Sequence, residues 1–179
     1  KVFHTVEGGA VVSNSKSLIE KMALLRNFGH EGQNVFNGVG INAKCSEFHA
    51  AMGIVNLNYI ESILIKRKEQ YLHYFDRLSE LDVKFIKLNK DGDFNYAYCP
   101  IIFPNETRLN QAVEALSKNY VSARRYFFPS LNKLDYVDYK ECPVSESISS
   151  RVLCLPIYHE LTTETIDMIC SILIQLYRK

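Results

Sequence analysis

The chain alternates between two kinds of hydrophobic pattern, and the change falls near residue 81. Up to that point the apolar positions recur at helical spacing. Ser13-Asn14-Ser15 offers an N-cap, and Leu18, Met22 and Leu25 then mark one face of a helix expected from about Lys16 to Phe28. From Cys45 to Leu81 there is no proline and only Gly53. Ile60, Leu64, Tyr71, Phe75 and Leu78 keep the helical period there, so one or two helices are expected, bent near Asn56–Tyr59. After Leu81 the runs VKFIKL and YAYCPIIF read as strands joined by the turn NKDGD. Four strands are expected near 83–88, 95–103, 121–127 and 152–155, with helices near 107–119 and 162–178 on one face of their sheet. Leu109, Val113 and Leu116 mark the first of these helices, and Ile166, Ile169, Leu173 and Leu176 the second. The order β-β-α-β-β-α describes a small α+β domain with a mainly antiparallel sheet.

Two stretches stand outside this pattern. Val11-Val12 follows Gly8-Gly9 and reads as a turn entering a short strand. FGHEGQNVFNGVGINAK holds four glycines and many polar residues, a long loop of the kind that compact domains usually reserve for function.

Composition narrows the classes. With 179 residues and 47% hydrophobic content, a sizeable core is within reach. The net charge of +1 leaves no electrostatic footprint for nucleic acid, and no basic run points to a membrane surface. No apolar run approaches the ~20 residues of a spanning helix, and nothing at the start reads as a signal peptide. The five cysteines include no CxxC pair, so reduced and mostly buried thiols of a cytoplasmic protein are expected. His4, His30 and His49 form no metal-binding pattern; His49 reads as a packed helix residue and no metal is expected. Lys1 stands where a methionine would normally open a chain, which points to a fragment or a processed protein.

The segments KVFHTVEGGAVV, RNFGHEG, GINAKCSEFHAAMG, ARRYFFPSL and RVLCLPIYHELT follow one another in order. Together they resemble the DegT/StrS family of sugar-nucleotide aminotransferases, which use pyridoxal phosphate (PLP). The resemblance runs along nearly the whole chain. It implies an α/β, aspartate-aminotransferase-like fold (fold type I), of which this chain is the C-terminal half. Residues 1–58 would be the end of the large PLP-binding domain, 59–81 a linking helix, and 82–179 the small α+β domain.

The resemblance assigns roles as well. Lys1 would be the Schiff-base lysine, catalytic and cofactor-binding, whose freed amine moves the substrate proton. Without the motif it would read as an idle, solvated lysine. Asn42 would reach the cofactor phosphate of the neighbouring subunit of a homodimer; its other reading is a cap for the helix that starts near Cys45. Lys44 stands where many members have arginine, a change that loses bidentate geometry. Glu7 could orient the lysine loop or be a turn residue. Arg124 and Tyr126 fall in the segment that lines the sugar-nucleotide pocket. Arg124 and Arg125 are adjacent on an extended run, so at most one enters a given cleft. Tyr158 and His159 could contact sugar hydroxyls or form a surface turn. The implied reaction is amino transfer, with glutamate as donor, to a nucleotide-linked keto-deoxysugar of the dTDP-4-keto-6-deoxyhexose type, for surface polysaccharide synthesis. The alternative is a non-catalytic module that folds and self-associates without cofactor.

Overall fold

The computed structural model describes residues 2–89 and 91–177. Lys1, the residue on which the catalytic expectation falls, lies outside the described residues. The chain divides at Ile60–Glu61 into two compact units.

In the first unit, α1 runs over Lys16–Leu25 and α2 over Glu47–Leu57. Ser15 caps α1 through its side chain, which accepts from Leu18 N. The helix stops three residues short of the expected Phe28 because Phe28 (φ 58°) and Gly29 (φ 79°) are left-handed, and Gly29 N donates back to Leu24 O at 2.8 Å. The chain then returns along the end of α1: Ile41 N donates to Leu25 O and Ala43 N to Arg26 O. This close return needs glycine at position 40, where a Cβ would stand 2.6 Å from Leu25 O. The strand expected at Val11-Val12 does not form; Val12 is 89% exposed and pairs with no ladder.

The second unit is built on α3, Ile60–Leu78. The break expected near Asn56–Tyr59 lies between Leu57 and Ile60. Three strands follow, β1 Lys84–Phe85, β2 Cys99–Ile102 and β3 Val152–Leu155, in the antiparallel order β1-β2-β3. Ile101 pairs with both Phe85 and Leu153. Helices α4 (Glu106–Lys118), α5 (Pro143–Ser149) and α6 (Thr163–Tyr177) complete the unit, and α4 packs on α6. Asn105 caps α4, accepting from Arg108 N at 2.9 Å.

The expected fourth strand at 121–127 reduces to a single bridge, Arg124 to Cys154. Arg124 N donates to Cys154 O and Cys154 N to Arg124 O, but Tyr126 N then turns back onto Arg124 O at 3.1 Å. That bond takes the chain out of the ladder. The side-chain alternation of a strand survives, with Val121, Ala123 and Arg125 facing inward and Arg124 outward. The first two strands are also shorter than expected. An Asx turn at Asn95, whose Oδ1 accepts from Ala97 N, and a left-handed Tyr96 (φ 50°) keep 95–98 out of β2.

The core belongs to the second unit. Tyr71, Tyr74 and Leu78 of α3, Ile101 and Phe103, Leu109 and Leu116 of α4, Leu153, and Ile166, Ile169 and Leu173 of α6 are all buried in one cluster. No single described helix is long and apolar enough to cross a membrane.

Cys99, Cys154 and Cys170 are buried, whereas Cys45 and Cys142 are exposed, and all five thiols are free. Burial pushes the Cys154 thiol up to about 11 and that of Cys170 to about 12. The thiolate is the reactive form. A folded chain treated with a thiol reagent at pH 8 is therefore expected to label rapidly at Cys45 and Cys142, and at the other three only after denaturation. Peptide mapping checks this; rapid labelling of Cys99 would contradict the core described above.

Candidate functional site

In the first unit the return of the chain along α1 fixes Asn42. Its neighbours Ile41 and Ala43 are tied to the helix end, and Asn42 itself forms an isolated bridge with Asn27. α2 has its own cap, Ser46, whose hydroxyl accepts from His49 N at 3.3 Å. Asn42 is thus not the cap of that helix. It lines a cleft of about 950 Å³ bordered also by Glu7, Gly9, Met22, Lys44 and His49. The ammonium of Lys44 lies 4.3 Å from the centroid of the Phe28 ring, a cation–π contact that orients it. An amide donor and a cation thus share one cleft, a donor set that suits a phosphate.

The other expected site residues lie in the second unit. Arg124 and Arg125 have separate fates. Arg125 is committed to the fold: its Nη2 donates to Glu106 Oε1 at 2.9 Å and to Ser150 O at 3.0 Å, and its guanidinium lies 3.7 Å from the Phe128 ring centroid. Arg124 faces out, with its guanidinium over Tyr126 and its Nη1 hydrogen-bonded to the Tyr126 hydroxyl. Tyr126 meets Tyr98 edge-on at 5.6 Å and stacks on Phe127 at 4.8 Å. An aromatic wall with one outward arginine results. Tyr158 and His159 follow β3 on an exposed loop.

Three groups that build this region are absent from the sequence reading. Tyr98 pairs with Tyr126, as above. Arg67 Nη1 donates to Tyr96 O and Ala97 O at 3.4 and 3.2 Å. Gln70 Nε2 donates to Tyr158 O and Leu161 O at 2.7 and 2.8 Å. The available signal was two polar residues at Arg67 and Gln70 in register with Tyr71, Tyr74 and Leu78 on the buried stripe of α3.

The irregular segment after Pro129 is fastened by Glu146. Its carboxylate accepts from Lys133 Nζ at 2.8 Å, Asn132 Nδ2 at 2.7 Å, Tyr139 Oη at 3.2 Å and Cys142 N at 3.2 Å. These bonds, Lys133 first, lower its pKa to about 2.

The model of the DegT/DnrJ/EryC1/StrS aminotransferase family matches residues 1–174. The chain is 33% identical over 178 residues to a dTDP-4-amino-4,6-dideoxy-D-glucose transaminase of Shigella dysenteriae, covering 96% of this chain and 48% of that protein. It is 32% identical to the Escherichia coli protein of the same description, with 94% and 48% covered. Among solved structures, DesI in the presence of its TDP-sugar product superimposes with a TM-score of 0.87 at 27% identity, over 98% of this chain and 46% of that one. The chain spans about half the length of the curated relatives it matches.

Proposed function

The chain belongs to the DegT/DnrJ/EryC1/StrS aminotransferase family, whose fold-type-I enzymes use pyridoxal phosphate, and we propose that it forms the C-terminal half of a nucleotide-sugar aminotransferase. The proposed reaction moves the amino group of glutamate to the keto carbon of a dTDP-4-keto-6-deoxyhexose. The protein would act in the cytoplasm as a homodimer, and its product would enter surface polysaccharide. The observation that carries this reading is the 33% identity, over 178 residues, to a dTDP-4-amino-4,6-dideoxy-D-glucose transaminase.

Bound PLP supplies the electron sink that lets an amino acid give up its Cα proton and its nitrogen. Lys1 would hold the cofactor through Nζ, and the freed amine would carry the Cα proton. Asn42 and Lys44 would take the phosphate, Asn42 as a donor into the partner subunit's site. Arg124, Tyr126, Tyr158 and His159 would face the sugar nucleotide.

Asn42→Ala in the full-length enzyme is expected to weaken PLP binding by about 1.5–3 kcal/mol, roughly ten- to a hundredfold, the usual loss of a hydrogen bond to a charged group. The folded state should be unaffected, because Ser46 caps α2. Titration of the apoenzyme with PLP checks this, and unchanged affinity would remove Asn42 from the phosphate. Hybrid dimers test the action in trans. One subunit carries Asn42→Ala and the other Lys1→Ala, which rebuilds one intact site per dimer only if Asn42 crosses between subunits.

A further inference from the structure

We propose that Arg67 and Gln70 of α3 are positioning residues for the sugar nucleotide, holding from beneath the two loops that carry Tyr98 and Tyr158. This inference rests on the nucleotide-sugar reading above.

The two side chains lie one helical turn apart and are buried, at 8% and 3% exposure. Neither can touch a ligand lying on the outer surface of the wall. Each spends its hydrogen bonds on backbone carbonyls far away in sequence, Arg67 on residues 96 and 97 and Gln70 on residues 158 and 161. An apolar residue at either position would match the stripe formed by Tyr71, Tyr74 and Leu78 and would avoid burying polar atoms. The penalty is visible at Arg67. Among the described residues no carboxylate pairs with it, its Nε has no hydrogen-bond partner, and desolvation lowers its pKa.

What the guanidinium fixes is a bend that would not hold its shape unaided. Tyr96 occupies the left-handed region (φ 50°), where a bulky residue is strained and persists only if its surroundings over-determine it. The Asx turn at Asn95 supplies one constraint and Arg67 supplies two more, on the carbonyls of Tyr96 and Ala97. The next residue is Tyr98, whose ring sets the edge-on contact with Tyr126 and hence the place of Arg124. Gln70 does the equivalent for the loop after β3. Leu161 is already anchored by burial, so the bond to Tyr158 O is the one that determines where the exposed half of that loop stands.

The test uses the full-length enzyme with Gln70→Met, Arg67→Met and Arg67→Lys. Methionine keeps length and packing but donates nothing. Lysine keeps a charge and donors that reach two carbonyls. The KM for dTDP-4-keto-6-deoxyglucose is expected to rise about fivefold or more in both methionine variants, the scale of one lost hydrogen bond. The KM for glutamate and the cofactor absorbance should stay as in the wild type, and Arg67→Lys should recover most of the change. An unchanged sugar KM, or a parallel rise in both KM values with a fall in Tm, would overturn the inference. If Arg67→Met does not fold, Gln70→Met carries the comparison. If the wild-type enzyme does not turn over this sugar, the dTDP-4-keto-6-deoxyhexose reading fails instead. Amide hydrogen exchange then decides the positioning role: faster exchange confined to 158–161 in Gln70→Met and to 96–98 in Arg67→Met, with Arg67→Lys close to the wild type, supports it, and unchanged exchange in Gln70→Met overturns it.

Discussion

Replacing Lys1 by alanine in the full-length enzyme is expected to abolish transamination. The proposed role combines two functions in one amine. It would anchor the cofactor and, once displaced, would carry the proton of the amino donor. Proton transfer by a positioned side chain alone contributes about 10²–10⁴-fold, so loss of both functions should leave activity below detection in a coupled glutamate assay. Borohydride reduction of the wild type, followed by peptide mass mapping, should place the cofactor on Lys1. The isolated 179-residue chain is expected to be inactive as well, because the relatives it matches are about twice its length and geometry for this chemistry must be assembled before it can run. Full activity in the Lys1→Ala enzyme, or robust turnover by the isolated chain, would remove the basis for the assignment.

The second large effect concerns stability. Ile101 is fully buried on β2, the central strand, and faces ladder partners on both sides. Ile101→Ala is expected to destabilise the second unit by about 2–5 kcal/mol, through lost burial and the cavity left behind. Domains of this size hold only about 5–15 kcal/mol in total, so a marked fall in the denaturant midpoint should follow. Val12→Ser is the control. Val12 is 89% exposed and touches no core, so the change should stay within about 0.5 kcal/mol. Equal shifts for the two variants would contradict the location of the core.

The sequence made much of this architecture legible where the signal was local. The helices α4 and α6 carry strong apolar stripes, and the observed ends lie within a residue of those expected from periodicity. The break between α2 and α3 was marked by Asn56–Tyr59. Errors arose where long-range or single-residue geometry overrode pattern. The early end of α1 depends on a left-handed Phe28, a conformation that nothing in an apolar residue announces. The run at 121–127 has the alternation of a strand, yet the turn at Tyr126 limits it to one bridge. The seven-residue α5 is too short for a periodic signal, and it forms where Pro143 opens a helix and Glu146 gathers the preceding loop. Of the candidate site, Lys1, Asn42, Lys44, Arg124, Tyr126, Tyr158 and His159 were reached through the order of motifs. Arg67 and Gln70 were not, because a polar residue on a helix reads as solvent-facing until its partners, 29 to 91 residues away, are known.

The unequal fates of the paired arginines carry a practical consequence for redesign. Arg125 is a keystone: its bonds to Glu106 and Ser150 and its contact with Phe128 clamp the start of α4, the end of α5 and the aromatic segment together. Among the described residues, the Arg124 guanidinium is held by Tyr126. On the proposed role of this segment, a combinatorial library aimed at new sugar acceptors would randomise 124 and 126 as a coupled pair and leave 125 fixed. Diversity spent on the neighbouring codon would instead remove the contacts that join these three segments.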